Sequence, residues 1–558
     1  MILLRAWLVA SACVALFCGL AEGTGAQPFW VFFRDRGAYQ STGLARDRAL
    51  AEAFAKVTPR ALARRAKATR ERNPGRALPA NAVDLLDCPP DPAYVAAVTA
   101  AGGSIRTTSA WLNTVSIDAS PDAIARINRL PCVAHTQPVA SQKPDAEDTA
   151  NTDFDAGPSC VQIDMLHIPE AQAMGLCGHG VLICVLDSGF DLDHEAFRQL
   201  EVRAERDFVF NDDDPSYDPR TDSPSQSNHG TTVLSMIAAY APGHLIGPAY
   251  CADYLLGKTE VIDAELPVEE DYWCEGVEWA EAEGADLLSS SLSYRNWYRA
   301  SDLDGRTAVT TRTANLALER GLLIVEAMGN DGPKEGTLSA PADAPGVISV
   351  GSVDGIGNLT GFSSAGPTYD RRVKPDLVAP GSAVVVVAPR TPDRYQRGSG
   401  TSYSAPLVAG CAALVMEAHP DWGPEAVREA LAMSGNRADR PDNHYGWGIV
   451  NARDAVLYPL LEGRVTDFHT GEPLRNARIR WRPAAAGSVD SLGAAPSDSP
   501  PRGEVRSDST GAYVIPNLPR GSYTIEVSKE GYFDAAAGPY DVPPNLGDVN
   551  FALRYRGE

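Results

Sequence analysis

The chain has 558 residues, too many for one ordinary domain, and its 44% hydrophobic content supplies ample core. Its 49 Lys and Arg against 72 Asp and Glu leave a formal charge of −23, which excludes nucleic acid and an anionic membrane surface as natural partners. Two to four soluble domains are therefore expected.

Residues 1–26 carry one early arginine, then an apolar run, then small residues. This is the pattern of a cleaved secretory signal, with an uncleaved anchor as the competing reading. No later stretch offers the ~20 uninterrupted apolar residues of a spanning helix. The expected location is outside the cytoplasm: secreted, periplasmic or at the cell surface.

Residues 27–145 read as a small α+β unit. "FWVFF" is a strand, "LARDRALAEAFAKVTPRALARRAKATRERN" is helical, and "SIRTTSAWLNTVSIDA" is extended. "SPDAIARINRLPCV" opens a helix with a Ser120 cap and Pro121 in the first turn, and "VAHTQPV" closes the unit extended. Residues 28–79 hold 12 basic and 4 acidic side chains, against a strongly acidic remainder. Opposite charge predicts that the two parts dock, while a solvated basic helix explains the composition equally well. A polar linker follows, "SQKPDAEDTANTDFDAGPS".

From 155 to 457 apolar runs alternate with helical stretches. "VLICVL", "ADLLSSS", "GLLIVEAMG", "GVISVGSV" and "AVVVVA" lack polar alternation, which predicts an α/β domain with a parallel sheet covered by helices on both faces. From 459 to 556 short strands separated by Gly/Pro turns predict an antiparallel β-sandwich, broken by a loose loop at about 484–501.

Ten cysteines are present, two in the signal; six lie between Cys160 and Cys411 and permit 15 pairings. An exported chain keeps disulfides. The bridges considered are Cys88–Cys132, Cys160–Cys177 and Cys251–Cys274, with Cys184 and Cys411 in apolar settings left as packed thiols.

Ligands gather at the C-terminal ends of parallel strands. Asp187 stands directly after the strand "VLICVL", where a buried carboxylate needs a partner. His229 in "NHGTTV" precedes a small-residue helix whose N-terminus disfavours imidazolium and keeps a base neutral. Asn330 in "EAMGNDG" ends another strand. "GSGTSYSAP" offers three serines, and Ser402 sits where the loop becomes a helix, with backbone N–H groups aimed at it.

With "VLDSGFD", "NHGTTV", "AMGN", "KPDLVAPG" and "GTSYSAP" in this order, the chain resembles the subtilisin-like serine peptidases over about 155–457. Residues 28–140 resemble that family's inhibitory propeptide, and about 459–554 resemble a prealbumin-like, carboxypeptidase regulatory domain. The resemblance implies an endopeptidase made as a zymogen, with Ser402 as nucleophile, His229 as base, Asp187 orienting the imidazole, and Asn330 with the Ser402 N–H holding the oxyanion. It makes Ser399 and Ser404 turn and packing residues. It places substrate main chain along Ser291, Leu292 and Ser293 and beside Gly329, with serine at 293 where the family has glycine.

It further implies polypeptide substrates, the chain's own propeptide as inhibitor and folding template, self-cleavage between about 137 and 157, and a monomer. The chemistry needs no cofactor. Ala196 replaces the family's calcium-binding aspartate, so no metal is assigned to it or to Asp191–Glu195, although structural calcium is compatible with the family. A catalytically silent surface protein and an esterase with serine ahead of aspartate and histidine are the competing readings. The intact Asp–His–Asn–Ser order speaks against both.

Overall fold

A computed structural model describes residues 26–72, 83–139, 159–262, 267–484, 503–518, 521–542 and 547–556. Residues 1–25 of the signal, most of the linker with residues 140–157 of the expected cleavage region, and residues 485–501 of the loop lie outside the described residues. The chain divides into two compact units: residues up to 50 with 85–140, and residues 51–84 with 141–558.

In the first unit, β1 (Gln27–Phe33) is followed by the helix α1 (Leu44–Lys56), which runs on into the second unit. After α2 (Pro59–Arg72), which belongs to the second unit, come α3 (Pro92–Ala100), β2 (Ser104–Ser109), β3 (Thr114–Ala119), α4 (Pro121–Ile127) and β4 (Val133–Pro138). The sheet is antiparallel in the order β2-β3-β1-β4. The expected Ser120 cap forms: its side chain accepts the Ala123 N–H at 3.3 Å, with Pro121 opening the helix. The expected helix of 44–73 is two helices, because Pro59 restarts it and Thr58 Oγ1 accepts the Ala61 N–H.

The second unit is built on seven parallel strands in the order β11-β10-β9-β8-β5-β7-β6. These are β5 (Leu182–Asp187), β6 (Glu201–Asp207), β7 (Asp253–Lys258), β8 (Leu287–Ser290), β9 (Leu323–Ala327), β10 (Ile348–Val353) and β11 (Leu377–Pro380). Strands β5, β8, β9, β10 and β11 are buried along their whole length, the reason they lack the alternation of exposed polar and buried apolar residues. Edge strand β6 alternates exposed and half-buried side chains up to Arg206 and carries five charged residues, so it gives no such signal.

The helices that cover the sheet are α5 (Asn228–Ala238), α6 (Val268–Glu283), α7 (Val309–Glu319), α8 (Thr401–Ala418) and α9 (Pro424–Ser434). Helix α8 is buried from Thr401 to Met416, and its Ala, Gly, Ser and Cys residues let neighbouring elements close on it from every side. "AVVVVA" does not join the parallel sheet. Val384–Val387 pairs antiparallel with Tyr395–Gly398, a buried hairpin whose apolar run is indistinguishable from a central strand by sequence.

Residues 461–553 form a three-stranded and a four-stranded sheet around their own apolar core. The pairing is antiparallel except where Val465–Asp467 runs parallel to Phe551–Leu553.

The cysteine pairing differs from that expected. Cys177 is bonded to Cys251, so neither Cys160–Cys177 nor Cys251–Cys274 forms, and Cys88 and Cys132 remain thiols. The Cys251 N–H donates to the Cys177 carbonyl at 2.9 Å, which brings the two backbones alongside each other. Cys184 and Cys411 are buried thiols as expected; burial pushes Cys411 up to about 12. Among the described residues no helix is long and apolar enough to cross a membrane.

Candidate active site

Strand β5 delivers Asp187 to its C-terminal end, where the side chain is wholly buried. Oδ1 accepts the Ser188 N–H at 2.7 Å and lies 2.7 Å from Nδ1 of His229. A carboxylate is acceptor-only, so Nδ1 carries the proton and Nε2 is left as the basic nitrogen. His229 is the second residue of α5, and the helix reaches Asp187 only because Gly230 follows. A Cβ on Gly230 would lie 2.2 Å from the Gly189 carbonyl and 3.1 Å from Oδ1 of Asp187.

The residue beside Asp187 across β7 is Lys258. Its buried ammonium pairs with Asp207 at 2.9 Å and Asp222 at 2.8 Å, tying the loop after β6 to the strand ends. Gln226 in that loop donates to the carbonyls of Ser188, at 2.8 Å, and Glu260, at 2.5 Å. None of this lysine-centred support is signalled by a motif.

Asn330 follows β9 through a turn at Gly329, whose φ of +100° and nearness to Ser339 and Ser364 suit glycine. The Asn330 carboxamide oxygen accepts the Thr401 N–H at 2.9 Å and the Thr401 hydroxyl at 3.0 Å. That fixes the amide orientation and turns its NH₂ away from Thr401. Ser402, next in the chain, is the second residue of α8 and is almost wholly buried; its carbonyl accepts the Ser291 hydroxyl at 2.9 Å. The neighbouring serines do other work: Ser399 Oγ accepts the Ala383 N–H at 2.9 Å, and buried Ser404 donates to the Ala379 carbonyl at 3.0 Å.

His229, Asn330 and Ser402 all line one cleft of about 660 Å³, together with Ser291, Leu292, Ser293 and Gly329. Every residue expected at the site is on this cleft except Asp187, which stands behind His229. Glu260 and Arg295, also on its walls, were not foreseen. Arg295 lies 3.6 Å from Asp331 and donates to the Gly336 carbonyl at 3.0 Å, and Glu260 accepts the Tyr294 hydroxyl at 2.7 Å. Both charges are therefore engaged. Asp191 and His194 are absorbed in turns: Asp191 accepts the Arg390 N–H at 2.7 Å, and the His194 ring lies 2.8 Å from the Arg394 carbonyl.

A parallel-sheet protein with a polar cleft at its strand ends and a serine at a helix start is the class that fold and cleft define. Residues 178–448 match the subtilase family, 28–153 the Peptidase S8 propeptide domain of Bacteroidota, and 461–554 the carboxypeptidase regulatory-like domain. Subtilisin Savinase from Lederbergia lenta is 31% identical over 296 residues, 53% of this chain and 97% of its own. Subtilisin E from Bacillus subtilis (strain 168) is 28% identical over 358 residues, 64% of this chain and 84% of its own. Fervidolysin from Fervidobacterium pennivorans, a keratinolytic enzyme related to subtilisin, shares the fold with a TM-score of 0.52 at 17% identity, covering 96% of this chain and 79% of that one. The chain belongs to the subtilase family. It is a serine peptidase that carries a propeptide and a carboxypeptidase regulatory-like domain.

Proposed function

We propose that the protein is an exported, monomeric serine endopeptidase, made as a zymogen that cleaves itself between about residues 137 and 157, and that hydrolyses polypeptides without a cofactor. Ser402 Oγ attacks the scissile carbonyl while His229 takes its proton, and the imidazolium then returns that proton to the leaving amine. Asp187, desolvated and hydrogen-bonded to Nδ1, holds the ring and stabilises its charge. The Asn330 NH₂ and the Ser402 N–H meet the oxyanion, and Ser291–Ser293 pair with substrate main chain. Water then attacks the acyl-enzyme with His229 again as base.

The observation that carries this reading is the 2.7 Å contact between a buried carboxylate and Nδ1 of a histidine that faces the same cleft as Ser402. A fluorophosphonate probe is expected to label the wild-type protein and not Ser402→Ala, and the Ser402→Ala chain is expected to stay uncut. Labelling that survives the substitution would overturn the assignment of the nucleophile. Normal trimming of the variant would show that another protease processes it.

A further inference from the structure

Helix α2 carries Ala61, Arg64, Arg65 and Ala68 as its buried residues, the i, i+3, i+4, i+7 stripe that a globular helix fills with leucine. Two arginines in that stripe need buried partners, and one acid supplies them both. Glu281 in the last turn of α6 accepts from Arg65 Nε at 2.8 Å and pairs with Arg64, all three side chains buried. The basic segment is thus docked rather than solvated.

The contacts fall on helix ends. The last carbonyls of a helix have no intrahelical donor. At the end of α6, Arg64 donates to the Glu281 carbonyl at 3.0 Å and to that of Ala285, Arg60 donates to that of Gly284 at 3.1 Å, and the Thr58 N–H donates to that of Ala282 at 2.9 Å. At the end of α7, Arg72 and Arg64 donate to the carbonyls of Glu319 and Arg320. Helix α9 is preceded by Gly423 at its N-cap, which has no capping side chain of its own. Glu71 of α2 supplies one, accepting the Ala426 N–H at 2.9 Å and the Glu425 N–H at 3.4 Å.

Backbone shape fits as well. Gly284 and Gly321, left-handed at φ +96° and +89°, end α6 and α7, and a Cβ on either would strike α2. These contacts lie at the N-terminal ends of β5, β8 and β9. The strand length of β5, about 17 Å, separates them from Asp187.

We propose that this edge of the sheet is a second propeptide-binding site, remote from the catalytic cleft, built to take an arginine-bearing helix that caps three peptidase helices at once. The site gives the propeptide a hold that does not depend on occupying the cleft, and it satisfies helix ends that the peptidase domain leaves open. Its bearing on latency rests on the zymogen reading above; the contact itself does not.

The test therefore uses the full chain carrying Ser402→Ala, in which no catalysis is needed, read by amide hydrogen exchange. Arg64→Ala with Arg65→Ala leaves Glu281 buried and unpaired, and exchange in residues 59–72 is expected to rise about a hundredfold or more. Arg70→Ala, on the exposed side of the same helix, is expected to change nothing. Equal exchange in the double variant and its parent, or an equal rise in Arg70→Ala, overturns the proposal. If the double variant is recovered only as insoluble protein, Glu71→Gln decides. Exchange at residues 425–427 is then expected to rise about fivefold with β5 unaffected, and unchanged exchange there overturns the proposal.

Discussion

At the C-terminal ends of β5 and β9 the sheet leaves polar atoms open, whereas at the N-terminal ends of the same strands they are covered. Asp187 Oδ2 has no hydrogen-bond partner among the described residues, and the Asn330 NH₂ is turned away from the Thr401 contacts that hold its oxygen. At the other edge, arginines and a glutamate close the helix ends, and a carboxylate is shared between two guanidiniums. Burial alone would raise the Glu281 carboxyl, but Arg65 and Arg64 outweigh it and hold it below its ordinary value. On the proposed mechanism, one edge is prepared for a charge that develops during reaction. The other is neutralised in advance.

The sharpest break in this contrast is chemical. Ser402→Ala is expected to lower kcat by about 10⁶-fold, measured on a peptide ester. Asn330→Leu removes the proposed oxyanion donor and, with it, the acceptor of the Thr401 N–H and hydroxyl. Its kcat should fall about 10²–10³-fold with KM unaltered, and a fall in affinity alone would mean that the amide serves ground-state binding.

Replacing Cys177 and Cys251 by serine opens a link across 74 residues. The expected loss is about 2–4 kcal/mol in denaturant unfolding of the Ser402→Ala chain. A loss no larger than that of Cys184→Ser would deny the link a structural role.

A pH-dependent effect concerns Glu270 on α6, which is pushed up to about 8 by burial even though the Tyr298 and Trp297 side chains donate to it. A carboxyl whose folded pKa is raised makes stability fall as pH rises from its unfolded value of about 4.3 toward 8, where the loss levels off. Glu270→Gln should flatten that decline, read as thermal midpoints between pH 5 and 8.

Legibility followed the range of the interactions. Asp187, His229, Asn330 and Ser402 each sit at a strand end or helix start with a glycine within two residues, so a few neighbouring residues disclose their settings. The parallel sheet was legible for the same local reason, a strand buried on both faces lacking polar alternation. What failed to show was settled by distant parts of the chain. The Cys177–Cys251 choice depends on which turns meet, Val384–Val387 on a partner strand, and the burial of Arg64 and Arg65 on an acid 216 or more residues away. Lys258 was silent because one lysine after a strand says nothing until Asp207 and Asp222 fold over it.

The Cys177–Cys251 bond encloses both Asp187 and His229, and with them the exposed polar stretch from Asn211 to Asp214. A peptidase is surrounded by copies of itself, and such a stretch invites autolysis. A nick there in the oxidised enzyme would leave the two fragments covalently joined, with Asp187 and His229 still on one molecule. A reductant would remove that tether and leave the two pieces held by the sheet and core contacts alone.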